Sequence, residues 1–151
     1  MATLAGQMTH YNRPDVIFRV HMIERRRSRI SGWGVYATRP ITKNTRIVSY
    51  DGEKITHKES RDREVRYLDK GQIWCFTLNN RWVVDAHVGG NVARYINHAC
   101  KPNCYSWIKN GVIWIRAARN IRAGEELSYD YNTTGNAEIR CRCRTDCQNS
   151  I

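Results

Sequence analysis

The stretch Arg94-Tyr-Ile-Asn-His-Ala-Cys-Lys-Pro-Asn103 decides how this chain is read. It sets an asparagine-histidine pair, Asn97-His98, two positions before a cysteine, Cys100. Packing asks for none of these side chains, since each carries polar or metal-binding atoms that are costly to bury without a partner. Downstream, Gly124-Glu-Glu-Leu-Ser-Tyr-Asp-Tyr131 runs from an acidic pair into two tyrosines, and Cys141, Cys143 and Cys147 follow near the end. Such a set points to a site.

Outward from this core the strand signals are short and frequent. Tyr105-Ser-Trp-Ile-Lys-Asn-Gly-Val-Ile-Trp-Ile-Arg116 holds Asn110-Gly111 between two β-branched and aromatic runs, the strongest short hairpin signal. Residues 127–131 read as a further strand, on which Tyr129 and Tyr131, two apart, share a face. Upstream, Gly89-Gly90 opens a short helical stretch carrying Val92, Ala93 and Ile96. Residues 73–78 and 81–85 are β-rich runs joined by an Asn79-Asn80 turn. Residues 34–37 and 45–50 form a pair of short strands around Pro40, and 16–22 alternate loosely. The best helix is 59–68, a charged stretch with Ser60 near its start and Val65 and Leu68 on one side. Spacing alone predicts a compact, mostly β fold with one or two short helices.

At 151 residues the chain is one domain, and eight tyrosines and five tryptophans argue for a folded core. No apolar run reaches the length of a membrane span, and residues 1–14 lack the apolar core of a signal peptide. An intracellular protein with no membrane partner is expected. In a reducing compartment the six cysteines read as thiols or metal ligands. The net charge of +11 has its densest run at Arg25-Arg-Arg-Ser-Arg29, with Arg61, Arg63 and Arg66 as a second group. Two readings stay open: a solvated surface, or attraction to a polyanion such as DNA or RNA. A monomer is the default expectation.

Three further segments complete the pattern. Gly32-Trp-Gly-Val-Tyr-Ala37 flanks a tryptophan with glycines, which suits a tight turn or a close backbone approach to a ligand. Ser49-Tyr-Asp-Gly-Glu53 punctuates a strand end, and Val84-Asp-Ala86 with Gly90-Asn-Val-Ala-Arg94 leads into the Asn-His stretch. In this order and spacing the segments resemble the SET-domain protein-lysine methyltransferases, from about Val16 to Cys147. The resemblance implies a mostly β SET-domain fold of several small sheets with short helices. It also implies a knot-like threading of residues 125–131 under the Asn-His loop and a post-SET zinc lobe. The implied division is an N-terminal extension over 1–14, the SET domain over 15–133 and a zinc-binding segment over 134–151.

The same resemblance implies an activity and its residues. It is transfer of a methyl group from S-adenosyl-L-methionine to a lysine side chain of a protein substrate, by default a histone tail, otherwise another basic protein. Such an enzyme works on chromatin in the nucleus of a eukaryote, or in a prokaryotic cytoplasm. Gly32, Trp33, Gly34, Trp74, Arg94, Asn97, His98 and Tyr131 are implied to hold the cofactor. Tyr50, Trp74 and Tyr129 are implied to line the lysine channel, with Tyr131 as the catalytic tyrosine. Tyr129 falls at the family's Phe/Tyr switch, which implies mainly one methyl, or two. Cys100, Cys141, Cys143 and Cys147 are the implied ligands of one structural zinc, a donor set that suits tetrahedral coordination. Their Cys143–Cys147 spacing is one residue tighter than the family's usual pattern. Trp74-Cys-Phe76 departs from a Tyr-X-Phe pattern, and the larger ring reads either as a lid over a cation or as core. Cys75 and Cys104 fall outside the cluster. The competing class is a catalytically silent SET-type module that binds chromatin or nucleic acid through its basic surface.

Overall fold

The computed structural model describes residues 22–133 and 139–151. Of the loosely alternating stretch 16–22, all but Met22 lies outside the described residues.

Strands β1 (Ile23–Arg27) and β2 (Trp33–Ala37) form an antiparallel hairpin, so most of the arginine run read as a charge cluster is strand. Its outward face is polar while Val35 and Ala37 of β2 are buried. Strand β3 (Arg46–Ser49) belongs to a three-stranded sheet completed by two strands more than fifty residues further along the chain. Strand β4 (Glu53–Thr56) has one buried apolar residue, Ile55, and nothing in Glu-Lys-Ile-Thr marks it locally as a strand. Pairing with a later strand makes it one.

Helix α1 (His57–Leu68) begins two residues earlier than expected, because Thr56, not Ser60, caps it. The Thr56 side chain accepts from the Glu59 N–H, and the Glu59 carboxylate accepts from the Thr56 N–H at 2.8 Å, a reciprocal capping box. Its inward side also differs from expectation: Ser60 and Tyr67 are buried, while Val65 is 64% exposed. The helix is anchored by polar contacts instead of an apolar stripe. Arg63 and the Tyr67 hydroxyl both donate to the buried carboxylate of Asp85, at 2.8 and 2.9 Å, and Arg63 also reaches Glu53.

Strands β5 (Cys75–Thr77) and β6 (Trp82–Asp85) pair antiparallel, and β6 lies between β4 and β5. The turn between them uses Asn79, whose side-chain oxygen accepts from the Arg81 and Trp82 N–H groups. A 3-10 helix (Val92–Tyr95) follows, capped by Asn91 and leading directly into β7 (Asn97–His98). Strands β8 (Cys104–Lys109) and β9 (Val112–Ala117) are the expected hairpin. Asn110 and Gly111 turn at φ 52° and 73°, the paired left-handed conformations of a type I′ turn. On β9, Ile113, Ile115 and Ala117 are buried while Val112, Trp114 and Arg116 alternate outward.

Strand β10 (Ser128–Tyr129) is shorter than the stretch 127–131 expected from the sequence, and it pairs parallel with β7, Ser128 opposite Asn97 and Tyr129 opposite His98. Its flanks are tied on both sides: the Leu127 N–H donates to Val35 at 2.7 Å, and the Asn103 amide bonds Glu126 and Ser128. Val35, Ile47, Ile96, Ile113, Ile115 and Leu127 share one core beneath these elements. The fold is mostly β, in small sheets, with the Asn-His stretch and the tyrosine strand side by side.

Candidate active site

A cleft of about 660 Å³ opens where β7 meets the start of β2, in the volume range of ligand sites. Trp74, Arg94, Asn97, His98 and Tyr131 line it, together with residues 31–33 and the C-terminal segment around Cys141.

Asn97 is buried and its amide nitrogen sits at the centre of a cradle. Its two shortest bonds run to Glu126 Oε1 at 2.8 Å and to the Trp33 carbonyl at 3.0 Å, with Ser28 Oγ and the Ser31 carbonyl farther out. Glu126 also takes hydrogen bonds from the Ser28 hydroxyl at 2.7 Å and the Tyr36 hydroxyl at 2.8 Å. This gives the two glycines different reasons. Gly32 turns at φ +41°, which glycine accepts at little cost. Gly34 is a glycine because a Cβ there would collide with the Glu126 carboxylate. Sequence reasoning passed over Glu126 and Ser28, whose pairing spans 98 residues and leaves no local signal.

His98 accepts the Tyr131 N–H at Nδ1, 3.3 Å away, which assigns its proton to Nε2. Burial pushes its pKa below the usual histidine range, and Asp130, 3.6 Å away, opposes only part of that shift. The Tyr131 ring lies edge-on to His98 with 5.5 Å between centroids, and its hydroxyl donates to the Ile96 carbonyl at 2.8 Å. Burial raises its pKa above the ordinary tyrosine value, so it is a neutral phenol.

The remaining expected residues divide. Trp74 stands on the cleft wall, edge-on to Tyr95 and beneath the Arg94 guanidinium at 5.7 Å. Tyr50 and Tyr129 lie behind that wall, at 5% and 4% exposure. Tyr50 donates its hydroxyl to the Trp74 carbonyl, and both rings pack on Phe76, Tyr129 stacked at 5.9 Å. Tyr129 and Tyr131 have centroids 4.9 Å apart, so the second aromatic layer touches the first. Arg94 donates to the Ala86 carbonyl and the Tyr95 hydroxyl, but its Nε is buried and has no partner among the described residues. A buried donor left unmet is costly, and one on a cleft wall suits an anionic ligand group such as a carboxylate.

The four clustered cysteines converge. The Sγ atoms of Cys100, Cys141, Cys143 and Cys147 lie within 4.8 Å of one another, and Cys100 is 3.7 Å from both Cys141 and Cys147. Four sulfurs about 2.3 Å from a central zinc stand about 3.8 Å apart, so the donor set fits tetrahedral zinc in both chemistry and size. The Asn149 amide donates to Cys100 at 3.2 Å, and the Asn149 backbone N–H chiefly lowers Cys147, to about 7. The tight loop closes through a Cys147 N–H bond to the Arg144 carbonyl. Ile139 and Ile151 pair through both backbone bonds, so the cluster ties down a small flap that walls the cleft. Cys75 and Cys104 stand apart, and burial pushes both thiols up to about 12.

Residues 32–132 match the SET domain family. The histone-lysine N-methyltransferase trr of Drosophila melanogaster is 46% identical over 125 residues, 78% of this chain and 5% of that protein. An H3 lysine-4 specific histone-lysine N-methyltransferase of Candida albicans is 39% identical, over 78% of this chain and 12% of that protein. A solved structure, a humanized mutant of the Chaetomium thermophilum Polycomb Repressive Complex 2 bound to an inhibitor, superposes with a TM-score of 0.64 at 35% identity, over 73% of this chain and 15% of that chain. The chain belongs to the SET domain family. It spans only a small part of the two relatives, 5% and 12% of their lengths.

Proposed function

We propose that this chain is a protein-lysine N-methyltransferase that uses S-adenosyl-L-methionine and acts on a histone. The carrying observation is the convergence of Asn97, His98, Arg94 and Tyr131 on one cleft, with the cysteine cluster closing its side.

The bound cofactor would supply a methyl group made electrophilic by its sulfonium. In this reading Gly32, Trp33 and Gly34 shape the backbone against it, while Arg94 Nε and the Asn97 amide hold its amino-acid end. His98, neutral and fixed by Tyr131, orients without adding charge. Trp74 borders the same space and carries its face to a cation. One zinc on Cys100, Cys141, Cys143 and Cys147 would keep the flap in place.

A free lysine amine titrates near about 10.4 and attacks only after losing a proton. The aromatic layers of Trp74, Tyr129, Tyr131 and Tyr50 disfavour the ammonium, which is the service expected of the channel. Tyr131 is the catalytic residue in this reading. Its hydroxyl is already committed as a donor to Ile96, so its lone pairs are fixed and can accept from the incoming amine. Alignment of the attacking nitrogen supplies the larger share of the rate. Tyr129 stands at the family's Phe/Tyr switch, and from that position we assign mono- or dimethylation. No helix among the described residues is long and apolar enough to cross a membrane. We assign the protein to chromatin, acting as a monomer.

The test is transfer of a labelled methyl group from S-adenosyl-L-methionine to core histones and nucleosomes, beside Tyr131→Phe. Transfer by the parent and loss of about a hundredfold or more in the variant, with cofactor binding kept, supports the reading. Cofactor binding without transfer moves the search to other basic proteins. No cofactor binding overturns it in favour of a silent module. Mass spectra of the product decide the methyl count, and abundant trimethyl-lysine from the parent would overturn the assignment for Tyr129.

A further inference from the structure

The sheet ordered β3–β9–β8 buries one face in the core and turns the other outward. On the outward face Tyr105 stands opposite Arg116 and Trp107 opposite Trp114, while Arg46 pairs across to Arg116 and Ser49 to Trp114. None of the residues in the three strands is acidic. The rings and cations interleave: Arg46 lies 4.4 Å from the Trp114 ring centre, and Arg116 lies 4.8 Å from that of Trp107 and 5.8 Å from that of Tyr105. Lys109 approaches Trp107 from its other neighbour position, 5.2 Å away. Arg116 is further fixed by two bonds to the Asn44 carbonyl. None of these residues lines the cleft.

This face is separate from the arginines that stand out in the sequence. Arg25 and Arg27 belong to β1 and lie on the ring of Trp33, a residue of the cleft, and Arg63 is paired with Glu53 and Asp85. Three aromatic rings on one face of a sheet, each with a cation beside it and with no carboxylate in the strands, match the needs of one ligand class. Bases stack on aromatic rings and on guanidinium planes, and phosphates take the cations. A duplex presents its bases only as groove edges and would use the charges but not the rings.

We infer that the outer face of β3–β9–β8 binds single-stranded nucleic acid, with bases on Tyr105, Trp107 and Trp114 and phosphates on Arg46, Lys109 and Arg116. The surface is independent of methyl transfer, and a net charge of +11 would draw the strand to it.

Fluorescence polarisation of a labelled oligothymidine of a dozen nucleotides, titrated with the full chain over a range of salt, tests this. Saturable binding is expected, with tryptophan quenching and a log–log salt slope of about −0.7 per phosphate held. Trp107→Ala and Trp114→Ala should each weaken binding by between about fivefold and a hundredfold. Because a half-buried ring can also support folding, Arg46→Glu with Lys109→Glu, both at exposed positions, provides a second reading. That pair should shallow the salt slope and weaken binding at least about tenfold, with binding of S-adenosyl-L-methionine unchanged. The inference is overturned by absent binding at low salt or by an unaffected charge-reversed variant. It is equally overturned by a duplex of the same length binding as tightly as the single strand.

Discussion

The amide nitrogen of Asn97 donates to Glu126 Oε1 at 2.8 Å, joining the Asn-His stretch to the acidic pair before the tyrosine strand. The same carboxylate fills the space above Gly34 and takes the Ser28 hydroxyl. One side chain thus sets the orientation of the Asn97 amide, the path of the β1–β2 turn and the need for glycine.

Glu126→Ala should therefore weaken S-adenosyl-L-methionine binding without touching the cofactor, by about 1.5–3 kcal/mol, the worth of hydrogen bonds to a charged group. Gly34→Ala should reproduce the loss, because the new methyl displaces the carboxylate from Asn97. Isothermal titration of both variants checks the pair. Unchanged affinity in Glu126→Ala would show that Trp33 alone orients the amide.

Metal removal should open the cleft from its C-terminal side. The purified chain is expected to carry one equivalent of zinc, measured by elemental analysis, and dialysis against a chelator should remove it. Loss of the metal should lower the melting temperature and weaken cofactor binding together, since Ile139, Arg140, Cys141 and Arg142 wall the site. Cys147→Ser should mimic chelation. A chain that keeps full cofactor affinity when metal-free would separate the cluster from the cleft.

Asp85 holds helix α1 to the sheet. Asp85→Ala leaves Tyr67 without its acceptor and Arg63 with Glu53 alone. Loss of a buried charged partner costs about 3–5 kcal/mol, and the lower figure applies because Arg63 still reaches Glu53 and water. The expected fall in melting temperature is roughly 10 °C for a chain of this size. Thr56→Ala, which removes only the cap, should cost about 1 kcal/mol.

Cys104 gives a stability change in alkali. Its thiol in the unfolded chain ionises near about 8.5, whereas burial holds the folded thiol up to about 12. Between those values folding must take up a proton. The stabilising contribution is full below about 8.5 and is lost as pH rises toward 12, at up to about 1.4 kcal/mol per pH unit. Cys104→Ala should flatten that part of the stability–pH curve, measured by denaturant unfolding. An identical slope in the variant would assign the alkaline loss to other groups.

The hairpin of β8 and β9 was legible because Asn110-Gly111 strongly favours a type I′ turn between flanking β-branched and aromatic runs, a signal carried within a few residues. The cysteine set and the Asn-His stretch were legible for a different reason. Their side chains carry polar or metal-binding atoms that packing does not select, so they stand out from the packing pattern. Strand β4 carried no such mark, since Ile55 is its single buried apolar residue and its register comes from β6. Helix α1 was placed correctly but its buried side was not, because Asp85 lies 18 residues beyond Tyr67 and a polar anchor has no helical period.

The sequence by itself determined the order of the motifs, the donor set of the cysteines, the tyrosine at 131 and the β8–β9 hairpin. Tertiary structure alone decided where each group stands. Parallel pairing of β10 with β7 puts Tyr131 beside His98, Glu126 orients Asn97 across 29 residues, and Tyr50 and Tyr129 form a second layer behind Trp74. The physical reason is range. Turns, caps and ligand types act within a few residues, whereas a cleft is made by contacts between segments whose separation in sequence leaves no local trace.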